Sequence, residues 1–516
     1  MKRWLFLAHR WLGVLLCAFM AMWFFSGVVM MYVGYPKLTD GERLAALPAL
    51  RAEAIRIDAA AAVRAASSSA RHGTVAPEPR SIRLTSIAGR PFYVVALGRD
   101  AVVAVDASDG RRLGGVDREA ALAAARSFAA GSIPDPTPGG SSYLGTVRED
   151  AWTHSRALDP HRPLHVVEVA GGTLLYVSSA TGEVVRDATR TERTWNGVGA
   201  WIHWLYPFRG GALDPWWHDI VVWTSVAATL LTLAGLVVGI LRWRFVGRLR
   251  SGGRTPYRES WMKWHHWTGL AFGVLSLTWI FSGLMSMNPW KVFTSPGAPR
   301  ESATVSPGAL GDAVAASIGR FASTGHVVRE LEWRTFDGRT LLVGFDGAGR
   351  TRLMREDRDP FDRLSFDELA AAAARAMPQA RPVASTVVER YDLWHYARAP
   401  HTMLGHIDRR LPILRIEFDD PGRTWMQMDP HTGAVVSRLD TRQRTKRWLF
   451  AMLHSWDWWP LLERRPLWDV LMIAGSLGGF ALSASGVVIG WRRLRRKAKA
   501  LSPAKRAAGM GKGAAA

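Results

Sequence analysis

Four histidines stand beside the apolar segments of this sequence, and their chemistry is suited to binding a metal centre. His9 and His265 each begin an apolar segment, whereas His203 and His454 each lie more than ten residues before one. An ionisable side chain at a lipid-facing segment is costly and marks a candidate functional position. Histidine is an axial ligand of haem iron. Three interpretations of these residues stay open: haem ligation, histidines that reach the lipid interface, and a proton pathway.

The four histidines form two pairs because the chain contains an internal repeat. Two offsets, 256 and 251 residues, relate its halves without gaps in the matched stretches. The first offset matches His9–Gly13 with His265–Gly269 and Phe25–Gly27 with Phe281–Gly283, and the second matches Thr181–Val185 with Thr432–Val436 and the residues His203, Pro215, Gly235 and Gly239 with His454, Pro466, Gly486 and Gly490. His9 and His265 are therefore expected at one membrane depth, and His203 and His454 at another.

Glycines accompany the first histidine pair on one helical face. At 100° per residue Gly27 lies on the face of His9, and Gly13 is one turn along that face. Gly269 and Gly283 repeat the pattern after His265. Small residues allow another helix to pack closely in lipid. The same absence of side chains would admit a flat porphyrin between facing helices of a bundle.

Four apolar stretches must position these residues. They cover residues 11–33, 220–241, 267–287 and 470–491, and each has about the 20 residues that a helix needs to cross the hydrocarbon of a bilayer. The first is too long for the apolar region of a signal peptide and is followed by no cleavage site of small residues. The sequence therefore predicts four transmembrane helices.

The net charge of +22 reports the orientation of these helices. Most of it lies in residues 1–10, 242–266 and 492–516, which share one side of the membrane if all four spans are present. By the positive-inside rule both termini and the short middle loop are cytoplasmic, and the two long segments lie outside. Because the basic residues follow membrane topology, we expect no nucleic-acid partner.

The two long segments read as α+β domains. The first shows helical patterns near residues 56–69 and 117–129 and strand patterns at 81–85, 91–97, 102–106, 164–169 and 173–177. The second shows helical patterns near 310–321 and 365–376 and strand patterns at 340–345, 414–418 and 424–428. Each segment is predicted to hold two helix-plus-hairpin modules in tandem.

The fold prediction is an α-helical membrane protein with four transmembrane helices in a parallel internal repeat and two periplasmic α+β domains. The predicted divisions are span 1–35, outer domain 36–190, interfacial segment and span 191–245, cytoplasmic loop 246–260, span 261–288, outer domain 289–440, interfacial segment and span 441–496, and basic cytoplasmic tail 497–516.

Other candidate ligands are less well supported. The lone cysteine, Cys17, excludes a disulfide framework, and the sequence has no motif for covalent haem attachment. His154 and His395 occur in similar contexts after a tryptophan and are the strongest metal candidates in the outer domains. His218 and His266 could substitute as haem ligands, but neither has a copy in the other half. No nucleotide or flavin fingerprint is present.

Several motifs resemble a known family. The segments Thr424–Gly433 and Lys446–Phe450 with Leu453-His454, and Ala8–Gly13 with Ser26-Gly27, resemble the PepSY-associated transmembrane-helix family, which includes iron-regulated membrane proteins of bacteria. The resemblance covers nearly the whole chain. It departs from the family in the first copy, which reads Trp195-Asn196-Gly197 where the second has Lys-Arg-Trp.

The resemblance implies a bacterial inner-membrane protein with PepSY-like modules in the periplasm. Some family members are ferric-siderophore reductases that bind haem, which implies two b haems with His9, His265, His203 and His454 as axial ligands to the iron. A ferric siderophore would be the substrate, and quinol or a cytoplasmic reductase the electron donor. The alternatives are a membrane-anchored PepSY binding or regulatory protein without enzymatic activity and, from the repeat, a transporter.

Overall fold

The computed structural model describes residues 2–68, 79–98, 100–132, 140–250, 252–295 and 305–501. Two compact units make up the chain. A helical unit consists of Met1–Tyr32, Gly197–Thr294 and Arg442–Ala516, and a sheet unit consists of Val33–Asn196 and Ser295–Thr441. His72 and residues 502–516 of the predicted basic tail lie outside the described residues.

The described helices and strands follow one another along the chain as follows. The α-helices are α1 (Lys2–Tyr32), α2 (Asp40–Ala46), α3 (Ala59–Ser67), α4 (Arg118–Ser132), α5 (Arg190–Val198), α6 (Ala200–His203), α7 (Trp217–Arg242), α8 (Ser260–Ser286), α9 (Val314–Ser323), α10 (Phe366–Ala376), α11 (Thr441–Arg447), α12 (Trp459–Leu462) and α13 (Arg465–Leu501). The strands are β1 (Pro79–Ile87), β2 (Arg90–Leu97), β3 (Ala101–Asp106), β4 (Ser142–Val147), β5 (Leu164–Val169), β6 (Thr173–Ser178), β7 (Val184–Ala188), β8 (Glu330–Phe336), β9 (Arg339–Phe345), β10 (Thr351–Arg355), β11 (Arg358–Phe361), β12 (Pro382–Val388), β13 (Ile413–Phe418), β14 (Trp425–Met428) and β15 (Val435–Leu439).

Four of the helices can cross a membrane. Within the described part of the chain, the helical segments long and apolar enough are Lys2–Tyr32, Asp214–Arg242, Ser260–Ser286 and Arg465–Ala500. Each covers all, or all but the last residue, of one of the apolar stretches that the sequence marks. Large apolar side chains such as Leu15, Val274 and Leu477 are more than half exposed on their surfaces, as lipid-facing residues would be. The chain is thus a multi-pass membrane protein.

The four long helices form a bundle in which α1 and α8 stand at opposite corners. Helix α1 packs against α7 and α13, and α8 packs against the same two helices. Glycines on α13 allow the close approach. A Cβ added at Gly479 would lie 2.5 Å from the Phe24 ring, and one at Gly475 would lie 2.9 Å from the Trp279 ring. Residues on the inner faces of α1 and α8 therefore meet across the bundle axis.

In the sheet unit the two long segments of the chain share one sheet. Its seven strands are all paired antiparallel, in the order β11-β10-β9-β8-β1-β2-β3. Strand β1 of the first segment pairs with β8 of the second, with Ile82 opposite Trp333 and Leu84 opposite Leu331. Helices α3 and α9 contribute to the hydrophobic core on this sheet. The segments that the sequence presents as two domains thus form one compact unit, because two sheet edges are joined.

Two further sheets of four strands complete the unit. Their orders are β4-β5-β6-β7 and β12-β13-β14-β15. Helix α4 buries Ala121 and Ala125 against the first, and α10 buries Leu369 and Ala373 in the core of the second. A helix on an antiparallel sheet matches the predicted helix-plus-hairpin pattern, with more strands than the sequence indicated.

A buried ion network lies beside the joined edges. The Glu330 carboxylate accepts from Arg43 at 2.5 and 2.9 Å and from Arg83 at 2.9 Å, and Arg83 also bonds Glu183 at 2.9 Å. Burial alone would raise the pKa of Glu330, but Arg83 and Arg43 outweigh burial and hold that pKa at about 2. The network ties α2, β1 and β8 together through one carboxylate.

Candidate functional site

The first histidine pair meets across the helical bundle. His9 on α1 and His265 on α8 have ring centroids 6.2 Å apart, with the ring planes inclined by 38°. Nδ1 of His9 lies 3.3 Å from the carbonyl oxygen of Leu231. Nδ1 of His265 lies 3.2 Å from the carbonyl oxygen of Leu482 and 3.0 Å from Oγ of Ser485. Each ring is held by the next membrane-spanning helix along the chain, α7 for His9 and α13 for His265.

The second pair meets in the same way. His203 ends the short helix α6, and His454 follows a single π-helical turn at Trp448–Met452. Their ring centroids are 6.3 Å apart, with planes at 73°. Nδ1 of His203 lies 2.9 Å from Oγ of Ser26, and Nδ1 of His454 lies 3.1 Å from Oγ of Ser282. We call His9 with His265 the inner pair and His203 with His454 the outer pair.

These contacts determine which ring nitrogen carries the proton. A carbonyl oxygen can only accept, so Nδ1 of each inner histidine must donate. Ser26 and Ser282 each donate their own hydroxyl proton, to the carbonyls of Met22 and Trp279 at 2.7 and 3.0 Å. Their oxygens therefore accept from Nδ1 of the outer histidines. In all four rings the lone pair is on Nε2, and no described residue hydrogen-bonds to these four atoms.

Tryptophans hold the backbone next to the outer pair. The indole of Trp217, at the start of α7, donates to the carbonyl of Trp204 at 2.8 Å. The indole of Trp468, near the start of α13, donates to the carbonyl of Ser455 at 3.0 Å. Trp204 and Ser455 directly follow the two outer histidines in the chain. The segment after each outer histidine is thereby held by the membrane-spanning helix that follows it, α7 or α13.

Glycines on α7 and α13 make room for the inner rings. A Cβ at Gly235 would lie 2.7 Å from Cε1 of His9, which is closer than real carbon atoms approach. A Cβ at Gly486 would lie 3.5 Å from Cε1 of His265 and 2.5 Å from Sγ of Cys17. Both glycines belong to the repeat. Their role is to admit the imidazole rings to the bundle interior.

The glycine stripe on α1 and α8 connects the two levels. A Cβ at Gly27 would lie 3.8 Å from Cε1 of His203, and a Cβ at Gly283 would lie 3.5 Å from Cε1 of His454. The face that carries an inner histidine therefore receives an outer one 18 residues later. At 1.5 Å per residue, these positions are about 27 Å apart along the helix, close to the thickness of the hydrocarbon core.

A cavity of about 1040 Å³ opens beside the inner pair. Its apolar wall includes Gly13, Gly269 and Leu236, so the remaining glycines of the stripe lie on this space. Seven basic side chains from the ends of α1, α7 and α13 also line it. They are Arg3, Arg10, Arg242, Arg492, Arg493, Arg496 and Lys497. An apolar space with cations on its border fits a flat, apolar ligand that carries acidic groups on one edge.

The geometry of both pairs fits a bis-histidine haem. Two metal–nitrogen bonds of about 2 Å, with about 1 Å from each nitrogen to its ring centre, place the ring centroids about 6 Å apart. The observed separations are 6.2 and 6.3 Å. The Nδ1 hydrogen bonds match the second contacts that metal-bound histidines usually make. The ring separations and the Nδ1 contacts of both pairs therefore fit a bis-histidine haem.

The other candidate histidines have different surroundings. His266 bonds Oγ1 of Thr255 at 2.8 Å through Nδ1 and the carbonyl of Gly239 at 2.9 Å through Nε2, so both nitrogens are occupied. His218 is exposed at the surface, with Nε2 3.2 Å from the carbonyl of Met287. Neither joins a second histidine as a pair.

The two outer-domain candidates also have protein partners. Nδ1 of His154 contacts the carboxylate of Glu149, and Nε2 of His395 lies 2.9 Å from the carbonyl of Arg410. Within the described ranges no three residues among His, Cys, Asp and Glu are grouped so as to hold a metal ion. Their predicted metal role receives no geometric support there.

Some residues of the site were not identified from sequence. Ser26 and Ser282 were seen only as repeated positions, although their match at the offset of 256 residues, on the histidine face, was the available signal. The carbonyls of Leu231 and Leu482 could not be found this way, because any residue supplies a carbonyl. From the sequence, the basic residues that line the cavity indicate only the membrane topology.

Comparison with protein families gives one match. Residues 6–345 match the family described as the PepSY-associated TM region. The chain belongs to this family. The resemblance stated from the sequence motifs is thereby confirmed, and the match begins just before the first histidine of the inner pair. Comparison with curated proteins found no match.

Proposed function

We propose that this PepSY-associated protein is a haem-binding oxidoreductase that moves electrons across the bacterial inner membrane. The observation that carries the proposal is the equal spacing of the two histidine pairs, 6.2 and 6.3 Å between ring centroids. Each pair offers two Nε2 lone pairs to one metal, so the chain would hold two b haems. Bound haem would supply the one-electron redox centre at each level.

The protein's own contribution is to position the ligands. The carbonyls of Leu231 and Leu482 and the hydroxyls of Ser26 and Ser282 hold the four rings in one tautomer. Hydrogen bonds of this kind orient a metal-bound imidazole and raise its basicity. The basic border of the cavity would neutralise the carboxylates of a porphyrin at the inner level. The two levels stand near opposite faces of the membrane.

The orientation that we propose follows from the charge distribution. The basic ends of α1, α7 and α13 belong on the cytoplasmic side, together with both termini. The sheet unit then lies in the periplasm, where its helix-on-sheet modules would be PepSY-like domains. The parallel repeat would relate the two halves by an axis along the membrane normal.

The proposed substrate is iron(III) held by a siderophore in the periplasm. Reduction to iron(II) weakens the hold of hard oxygen ligands and releases the metal. Electrons would enter on the cytoplasmic side from quinol or from a cytoplasmic reductase. The ferric-siderophore role rests on the family resemblance, whereas the redox role rests on the histidine geometry.

The test is a visible spectrum of the purified protein in mild detergent before and after dithionite, with a pyridine haemochrome assay. We expect about two b haems per chain. His9→Ala and His265→Ala should each remove the same haem, and His203→Ala and His454→Ala should each remove the other. His218→Ala is the matched control, since its exposed ring has no histidine partner.

The alternative is a membrane-anchored binding or regulatory protein that uses its PepSY-like modules without redox chemistry. A wild-type protein that shows no Soret band after reconstitution with haemin would refute the redox proposal and favour this alternative. Haem loss that follows a different pairing of the histidines would refute the assignment of the two levels.

A further inference from the structure

Three basic side chains meet in the sheet unit without an intervening carboxylate. Nζ of Lys37 lies 3.0 Å from Nε2 and 3.3 Å from Nδ1 of His406. The guanidinium of Arg186 donates to the carbonyl of Pro36, the residue before Lys37. In the described part of the chain, no acidic residue forms an ion pair with any of the three basic residues. We call Lys37, Arg186 and His406 the basic cluster.

Arg186 carries the strongest sign of a missing partner. Its side chain projects from β7 and is 5% exposed. Its Nε is fully buried and has no hydrogen-bond partner. A buried donor left unsatisfied costs about 1–3 kcal/mol, and more when the group is charged. The Nε edge of a guanidinium is one of the edges that can bind a planar oxyanion through two hydrogen bonds.

The nearby acids do not supply that partner. The Asp150 carboxylate already accepts from Tyr176 at 2.7 Å and from Thr153 at 2.9 Å. Asp187 follows Arg186 in β7, so its side chain points to the other face of the sheet. The basic cluster therefore keeps an excess of positive charge.

The pKa values of the basic cluster agree with an excess of positive charge. Burial and, secondarily, the neighbouring charge of Arg186 together lower the pKa of Lys37 to about 8. Burial also lowers the pKa of His406, and the charge of Lys37 adds to the effect. A bound anion would reverse both effects, because it offsets the repulsion between the cations.

Two of the three basic residues, Lys37 and Arg186, lie in the first half of the chain and have no basic counterpart at the matching positions of the second half. At the repeat offsets, Ser437 takes the place of Arg186, and Phe293 takes the place of Lys37. A residue needed only to pack the repeated module would be expected in both copies. Lys37 and Arg186 are thus additions to one copy of the repeat, and His406 reaches them from the other copy.

We propose that Lys37, Arg186 and His406 form a binding site for a small oxyanion, a carboxylate or phosphate group. The buried Nε edge of Arg186 would contact two oxygens, and Lys37 would supply the second charge. The neutral ring of His406 holds the Lys37 ammonium in place. The site lies within the sheet unit and does not depend on the redox role proposed for the histidine pairs.

The experiment is isothermal titration of the full-length protein in detergent with citrate and, separately, with inorganic phosphate in low-salt buffer. We expect the wild type to bind one equivalent of at least one probe. Arg186→Gln and Lys37→Gln should each weaken binding about tenfold or more, the usual size of one charge-assisted hydrogen bond. Lys37→Arg should retain most of the affinity. Arg320→Gln is the control, since Arg320 pairs with Asp359 at 3.0 Å on the surface.

The outcomes separate clearly. Binding of citrate alone identifies carboxylate as the group recognised, and binding of phosphate alone identifies phosphate. No binding of either probe by the wild type overturns the proposal, as does equal affinity in Lys37→Gln and the wild type. If Arg186→Gln fails to fold, Lys37→Gln carries the test because Lys37 is only partly buried. Thermal unfolding of each variant checks that a loss of binding is local.

Discussion

Replacing Gly235 with alanine should weaken haem binding at the inner histidine pair and leave haem binding at the outer pair unchanged. The added Cβ would lie 2.7 Å from Cε1 and 3.1 Å from Nδ1 of His9. Carbon atoms are comfortable at about 3.5–4.0 Å, so the ring must retreat by about 1 Å. That shift breaks the 3.3 Å contact between Nδ1 and the carbonyl of Leu231. It would also displace Nε2 of His9 from the position in which it could bind a haem iron.

The size of the effect follows from the cost of overpacking. Forcing one extra carbon into a packed interior costs about 1–3 kcal/mol. If the bound state bears this cost, haem affinity at the inner level falls roughly 5- to 150-fold. Haemin titration of apoprotein would then show two sites of different affinity, and the haem content at limiting haemin should fall from about two per chain toward one.

Gly27→Ala is the matched control for this variant. Its Cβ would lie 3.8 Å from Cε1 of His203, an ordinary contact distance. The same substitution beside a histidine should therefore leave both sites near wild-type affinity. The reasoning is refuted if Gly235→Ala binds two haems with wild-type affinity, or if Gly27→Ala loses haem to the same extent.

Further predictions concern the outer pair and the sheet unit. Ser26→Ala and Ser282→Ala should each weaken haem binding at the outer level about 10- to 100-fold, and haemin titration should show no change at the inner level. Glu330→Gln should destabilise the protein by about 1.5–3 kcal/mol, measured by denaturant unfolding followed by circular dichroism, because it removes the buried carboxylate that Arg43 and Arg83 share; exposed Asp359→Asn should cost little. The pKa of Glu330 is about 2 in the folded protein and about 4.3 in the unfolded chain. The stabilisation that its carboxylate provides should therefore be complete above about pH 5 and be lost as the pH falls toward 2. Glu330→Gln should not show this loss. Burial and neighbouring carboxylates raise the pKa of Asp187 to about 7. The contribution of Asp187 to the free energy of unfolding of the wild type should therefore fall as the pH rises from 4 to 7. At pH 8, Asp187→Asn should be the more stable protein.

Sequence reasoning located the helical unit well because its signals are local. Each apolar stretch is long enough to define a span by itself, and each helix found begins several residues before its stretch. Helix α10 and strands β5 and β13 were placed within one residue of their observed ends, since capping and β-branched runs mark them. Strand β12 was missed because six of its seven residues are exposed and show no alternation.

The candidate site was only partly accessible from sequence. The repeat offset alone paired His9 with His265 and His203 with His454, and the structure brings these residues together. The role of these pairs as haem ligands stays a prediction. The contacts that hold the rings come from carbonyls and from helices that are distant in sequence, and no periodicity within one segment reports them. The joining of β1 to β8 was hidden for the same reason.

That junction has a consequence for how the protein is made. Arg83 and Glu330, on the two paired strands, are 247 residues apart in the chain. At about 5–20 residues per second, a ribosome takes roughly 12–50 s to extend the chain from one strand to the other. During this interval β1 presents an open edge, and two membrane spans must be inserted before its neighbour exists. The two halves of the repeat therefore cannot fold independently of each other. The first half needs β8 of the second half to pair with the open edge of β1.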